Sequence, residues 1–147
     1  TTLSDLIFAG SDSHLFSLAG MDLGAATDGL VDNFAWGSLS LAFGEMLNII
    51  DGNTGPDAAL YIGLLNLEDI FQLDDIFSDF NIYYDAGLAG NSFLGSQTFS
   101  LQGSGQLIPI LGNGGEPPVS VPEPQSISLL ALGLLCLGLV RRRTIQT

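Results

Sequence analysis

Along Trp36–Phe43 the chain reads Trp-Gly-Ser-Leu-Ser-Leu-Ala-Phe, so Leu39, Leu41 and Phe43 fall on one side and Ser38, Ser40 and Ala42 on the other. Successive side chains of an extended backbone point to opposite faces, and a period of two therefore marks a half-buried strand. The same alternation sets Phe80, Ile82 and Tyr84 against Asn81 and Tyr83. It also runs through Phe99, Leu101, Gly103, Gly105 and Leu107 against Ser100, Gln102, Ser104 and Gln106. Ala58 to Leu65 is a denser apolar run, which predicts a central strand. Turn-forming pairs separate these segments: Asp51-Gly52, Asn53-Thr-Gly-Pro56, Ala86-Gly87 and Gly90-Asn91. The pattern is mainly β and predicts an antiparallel β-sandwich of about six to eight strands over residues 1–111.

One segment has a different period. Between Leu67 and Phe80 the apolar residues stand at 67, 70, 71, 73, 76, 77 and 80, a helical spacing. Asn66 is a candidate N-cap, and Glu68 and Asp69 would sit favourably against the positive end of the helix dipole. A short helix of two to three turns, or an acidic loop, is expected here. No internal repeat of useful length is visible.

Past residue 111 the pattern changes twice. Residues 112–121, Gly-Asn-Gly-Gly-Glu-Pro-Pro-Val-Ser-Val, mix flexible glycine with stiff proline and predict a linker. Ile127 to Val140 is uncharged throughout and apolar on every side, and Arg141, Arg142 and Arg143 follow it. As a helix this run spans about 21 Å, short of the roughly 30 Å hydrocarbon core. A helix buried within a small soluble domain should show a polar stripe, and this run has none. A single C-terminal transmembrane helix at 127–140 is therefore expected. The arginines would stay cytoplasmic and place residues 1–121 across the membrane. Thr144 to Thr147 form a short tail.

Charge narrows the function. The chain carries 16 Asp and Glu against three Arg, no Lys and one His, for a net charge of -13. All three cations lie in the tail, and 15 of the acidic residues precede Pro122. A nucleic-acid partner is excluded because nothing in the body neutralises phosphate, and phosphoryl transfer is disfavoured on the same ground. Seventeen of the 19 glycines precede Pro122, a density that opposes a helix bundle and favours short strands joined by turns. The one cysteine, Cys136, lies in the apolar run, so an internal disulfide and a thiolate metal cluster are both excluded.

Candidate chemistry in the body is sparse. His14 is the only imidazole, and Asp12-Ser13-His14 is not the spatial relay of a hydrolase, so a surface histidine is expected. Asp69, Asp74, Asp75 and Asp79 could supply paired carboxylates for glycoside chemistry, but adjacent acids are ordinarily a solvated face. Asp51-Gly-Asn-Thr-Gly-Pro-Asp57 offers hard oxygen ligands at Asp51, Asn53 and Asp57 and a carbonyl at Gly55, a candidate weak calcium site. It lacks the glycine and the bidentate glutamate of a calcium-binding hand, and a polar turn is the plainer expectation. Trp36, Tyr61, Tyr83 and Tyr84 could form a sugar-stacking patch, although strand aromatics ordinarily pack into cores. No catalytic residue is assigned and no cofactor is expected, calcium excepted.

The C-terminus carries a resemblance. Val121-Pro122-Glu123-Pro124, then a short Leu/Ala/Gly helix, then a terminal arginine cluster resemble the PEP-CTERM sorting signal of exported bacterial proteins. The resemblance covers residues 122–143 and implies that Pro122, Glu123 and Pro124 are the recognition motif. Ile127 to Val140 would be the membrane anchor, with Arg141, Arg142 and Arg143 fixing topology. It implies an exosortase-type membrane enzyme as partner and processing of an inner-membrane-anchored precursor in a Gram-negative bacterium. Delivery would be to the cell surface or a biofilm matrix rich in extracellular polysaccharide. Members of this family also begin with a signal peptide. The sequence from Thr1 has the tail without such a leader, as expected of a sequence cut short upstream. The function expected is that of a non-enzymatic structural or adhesive protein. A carbohydrate- or calcium-binding module and a permanently anchored single-pass protein are the alternatives.

Overall fold

The computed structural model describes residues 4–10, 12–52 and 57–112. These form nine strands: β1 (Asp5–Phe8), β2 (Ser13–Leu18), β3 (Trp36–Leu41), β4 (Met46–Asp51), β5 (Ala59–Asn66), β6 (Ile76–Ser78), β7 (Asn81–Asp85), β8 (Phe99–Ser100) and β9 (Gln106–Ile110). The first sheet runs β1-β3-β5-β7-β9-β8 and the second β2-β4-β6. The first six strands therefore alternate between the two sheets, odd strands in one and even strands in the other. Each pair of consecutive strands makes one turn of a coil that stacks on the turn before it, the architecture of a short β-solenoid.

The pairing is parallel everywhere except between β8 and β9. The expected antiparallel sandwich is thus corrected to two parallel sheets that share one core. Alternation reports which face of a strand is buried and says nothing of its direction. Asp51-Gly52 stands at the end of β4 of the second sheet and precedes β5 of the first, whereas Ala86-Gly87 and Gly90-Asn91 lie between β7 and β8 of the same sheet. Gly52 donates its N–H to the Leu18 carbonyl and so extends the β2–β4 ladder past the end of β4.

The core lies between the sheets. Leu39, Leu41, Leu60, Ile62, Ile82, Tyr84 and Leu107 from the first sheet meet Leu18, Leu47, Ile49 and Ile76 from the second. β5 is flanked by β3 and β7 and buried along nearly its whole length, as its dense apolar run predicts. Tyr83 faces away from this core, as its place in the alternation requires. Phe43 does not follow the expected pattern: it lies beyond the end of β3 and is 70% exposed. The single strand expected from Phe99 to Leu107 is instead a hairpin, β8 and β9, turned through Gly103, whose φ of +107° strains any other residue.

The Leu67–Phe80 segment divides. Ile70–Asp75 forms a 3-10 helix, and Ile76–Ser78 becomes β6. Its cap is Asp69 rather than Asn66: the Asp69 carboxylate accepts the Phe71 N–H at 3.0 Å, and Gln72 Oε1 accepts the Asp69 N–H in return. Gln72 is buried because its amide also donates to the Leu41 and Ala42 carbonyls, tying this turn to the end of β3. Asn91 does the same between β5 and β7, accepting from Leu65 N–H and donating to the Gly63 and Asp85 carbonyls. Among the described residues every buried side-chain polar atom has a partner.

Residues 19–35 cross the outer face of the first sheet and are fixed there by tyrosines. Tyr61 and Tyr83, neighbours in the β5–β7 register, stack at 4.7 Å with their planes 16° apart. Tyr61 Oη accepts from Leu23 N–H and donates to the Gly24 carbonyl, both at 2.8 Å. Tyr83 Oη donates to Asp22 at 2.8 Å. Gly29 lies directly on the Tyr61 ring, where a Cβ would stand 2.0 Å from a ring carbon.

Candidate functional site

The described residues bring some of the candidate groups together and separate others. Tyr61 and Tyr84 are fully buried and Tyr83 is 4% exposed, while Trp36 packs edge-on against Phe16. They form no sugar-stacking patch. Burial holds the hydroxyl of Tyr83 protonated and, together with its hydrogen bond to the Asp22 carboxylate, pushes its pKa up to about 12. Burial raises Tyr61 and Tyr84 in the same direction.

His14 is not a surface histidine. Its side chain is 15% exposed, its ring lies against Phe8, and its Nε2 is 2.9 Å from Glu45 Oε2. Glu45 Oε1 accepts the Gly10 N–H, so the pair joins the β1–β2 connection to the turn before β4. Asp51 ends β4, and Asp57 uses its backbone carbonyl to accept Asp22 N–H. Asn53 and Gly55, the other two candidate calcium ligands, lie outside the described residues. So do Pro122, Glu123 and Pro124, the anchor from Ile127 to Val140, and Arg141, Arg142 and Arg143. Among the described residues no helix is long and apolar enough to cross a membrane.

A concave site forms on the outer face of the second sheet. The β2–β4–β6 register places Leu15, Asn48 and Phe77 in one row and Ser13 beside Met46 in another. The alternation that sends Leu47, Ile49 and Ile76 into the core sends Met46, Asn48 and Phe77 outward. Asp74 and Asp75, at the end of the 3-10 helix, stand on one side of this row. On the other, Gln102 bridges to Phe77, accepting from Ser78 N–H and donating to the Ile76 carbonyl. The result is a groove of about 350 Å³ lined by Ser13, Met46, Leu47, Asn48, Asp74, Asp75, Phe77 and Gln102.

Of the carboxylates singled out in the sequence, Asp74 and Asp75 reach the groove; Asp79 is engaged elsewhere, accepting from Ser104 N–H. Asp69 is spent as a helix cap. Sequence reasoning missed Asn48, Phe77 and Gln102, and the outward positions of β4 and β6 could have revealed the first two. Carboxylates, amides and a half-exposed Phe77 ring suit a ligand that donates hydrogen bonds and has an apolar face. No described cation lines the groove, so an anion is repelled.

No curated protein and no solved structure matches the chain. The family model of the PEP-CTERM protein-sorting motif matches residues 120–143, a stretch that contains Pro122, Glu123 and Pro124, the apolar run and the three arginines. Residues 120–143 thus carry a PEP-CTERM protein-sorting motif, which supports export and sorting through exosortase, a membrane enzyme, toward the cell surface.

Proposed function

We propose that the chain is a non-enzymatic structural or adhesive component of the cell surface or of a polysaccharide-rich matrix in a Gram-negative bacterium. The sorting motif at residues 120–143 is the observation that carries this reading. In it, the apolar run from Ile127 to Val140 holds the precursor in the inner membrane and Arg141 to Arg143 keep its end cytoplasmic. Pro122, Glu123 and Pro124 are presented to the membrane enzyme, which removes the tail. The acidic solenoid is the part delivered. A body with no lysine, no arginine and one histidine, already bonded to Glu45, is left with carboxylates and hydroxyls for acid–base or nucleophilic work. Substituting Pro122, Glu123 and Pro124 together by Ala tests the mechanism. Unprocessed precursor should accumulate in the membrane fraction, and unchanged delivery would refute it.

A second reading is favoured by the groove. A neutral or amine-bearing sugar could lay its apolar face on Phe77 and donate hydroxyls to Asp74, Asp75, Asn48 and Gln102. Saturable binding by calorimetry that is lost in Phe77→Ala supports it, and no binding across a broad glycan array removes it. Calcium at Asp51, Asn53, Gly55 and Asp57 remains a separate proposal; a millimolar calcium titration that leaves the melting temperature unmoved ends it.

A further inference from the structure

The groove on the outer face of the second sheet differs from the rest of the fold in what its polar side chains do. Asn33, Asn66, Asn81 and Asn91 each donate a side-chain N–H to another segment and so tie the fold together. Gln72 does the same, and Asp22, Asp69 and Asp79 accept backbone N–H groups. Among the described residues the side chains of Asn48, Asp74, Asp75 and Gln102 make no hydrogen bond or ion pair, and all four line the groove.

Beside them Met46 and Phe77 are 54% and 45% exposed and give the groove an apolar wall. An aromatic ring next to amides that both donate and accept suits a sugar, whose ring has an apolar C–H face edged with hydroxyls. The carboxylates add a demand on charge. Asp74 and Asp75 are neighbours, no Lys or Arg precedes Arg141, and the one ion pair among the described residues is His14 with Glu45. The described residues therefore leave the charge of the groove uncompensated, which favours a ligand that brings its own cation over a neutral one. A lysine side chain would bring that cation, but it has no acceptor for the amide N–H groups of Asn48 and Gln102.

Resting on the reading of the groove as a sugar site, we propose that it selects a cationic amino sugar, a hexosamine with a free, protonated amine, over the neutral or N-acylated counterpart. The amine is held by the Asp74 and Asp75 carboxylates, the apolar face of the ring lies on Phe77, and the hydroxyls exchange hydrogen bonds with Asn48 and Gln102. N-acylation removes the positive charge and leaves both carboxylates facing an amide, so selectivity comes from the unmatched charge of the wrong ligand as much as from contacts to the right one. The linked amino sugars of a polymer would engage such an open groove more firmly than a single residue, because a bound unit holds its neighbours close by.

Calorimetric titration of the full chain tests this, in mildly acidic buffer with a non-ionic detergent that lacks a sugar headgroup. The probes are a linear glucosamine tetramer, its fully N-acetylated counterpart and a lysine tetrapeptide. The glucosamine tetramer should bind saturably, and the N-acetylated one on the order of tenfold more weakly. Asp74→Asn combined with Asp75→Asn should abolish that preference, and added salt should narrow it. Phe77→Ala should weaken both tetramers alike. Asp28→Asn combined with Asp32→Asn removes the same charge from exposed positions outside the groove and should leave the preference intact. Equal affinity for the two tetramers overturns the selectivity for an amine and leaves the sugar site standing, whereas binding of neither removes both. A lysine tetrapeptide bound as tightly as the glucosamine tetramer overturns the choice of a sugar. A preference lost equally in the Asp28 and Asp32 variant overturns the groove as its source.

Discussion

Among the described residues the two sheets are built by the same parallel stacking, yet only the first is covered on both faces. The first sheet has the core on one side and residues 19–35 on the other, pinned by Tyr61, Tyr83 and Asn81 through Leu23, Gly24 and Asp22. The second sheet shares the core but leaves Leu15, Met46, Ile50 and Phe77 outward, at exposures between 37% and 66%. A parallel sheet ordinarily hides both faces, and its strands then read as continuous apolar runs. β5 obeys that rule, with Ala59 to Ile62 all buried. β4, Met-Leu-Asn-Ile-Ile-Asp, alternates as a sheet with one wet face does. The first sheet thus spends its outer face on packing, and the second leaves its own exposed around the groove.

Substitutions on the two outer faces should therefore differ sharply. The largest loss is expected for Tyr61→Ala, about 3–5 kcal/mol by chemical denaturation, because a fully buried ring and both its hydrogen bonds disappear. Gly29→Val forces a side chain into the Tyr61 ring and should cost about 1–3 kcal/mol, measured the same way.

Raising the pH should act on the same face. Tyr83 has a folded pKa above its unfolded value of 10, so its stabilising share is complete below pH 10 and is lost as the pH climbs through about 12. Just below pH 10 the unfolding free energy from chemical denaturation should not yet feel this group, and above pH 10 it should fall, a decline that Tyr83→Phe blunts. The smallest effect belongs to the second sheet: Leu15→Ala should change stability by no more than about 0.5 kcal/mol. If Leu15→Ala cost as much as Tyr61→Ala, the outer face of the second sheet would be covered and the contrast would fail.

How much of this was legible in the sequence depended on the kind of signal. β3, β5 and β7 could be read from alternation and apolar density because each buries at least one full face. β1 and β2 were not read, since Ile7 and Leu15 are apolar but outward and blur the period of two. The parallel stacking was hidden for a different reason. Register partners Asp5–Ser38, Trp36–Ile62, Ala59–Asn81 and Ile82–Leu107 are separated by 33, 26, 22 and 25 residues, so the coil leaves no fixed repeat. Turns of unequal length are accommodated by loops, and residues 19–35 are the longest of these. The groove was half legible: Asp74 and Asp75 stood out as a charged pair, whereas Asn48 and Gln102 acquire meaning only when the coil brings them beside Phe77. The sorting signal was the most legible part, since its motif, apolar run and arginines are adjacent in the chain and need no tertiary structure to be recognised.

The most direct test of the account is the intact mass of the protein recovered from the cell surface. A chain that ends near Pro122 to Pro124, without the apolar run and without Arg141 to Arg143, is the expected result. Surface material that still carries the arginines would contradict release through the sorting signal and leave a permanently anchored protein in its place.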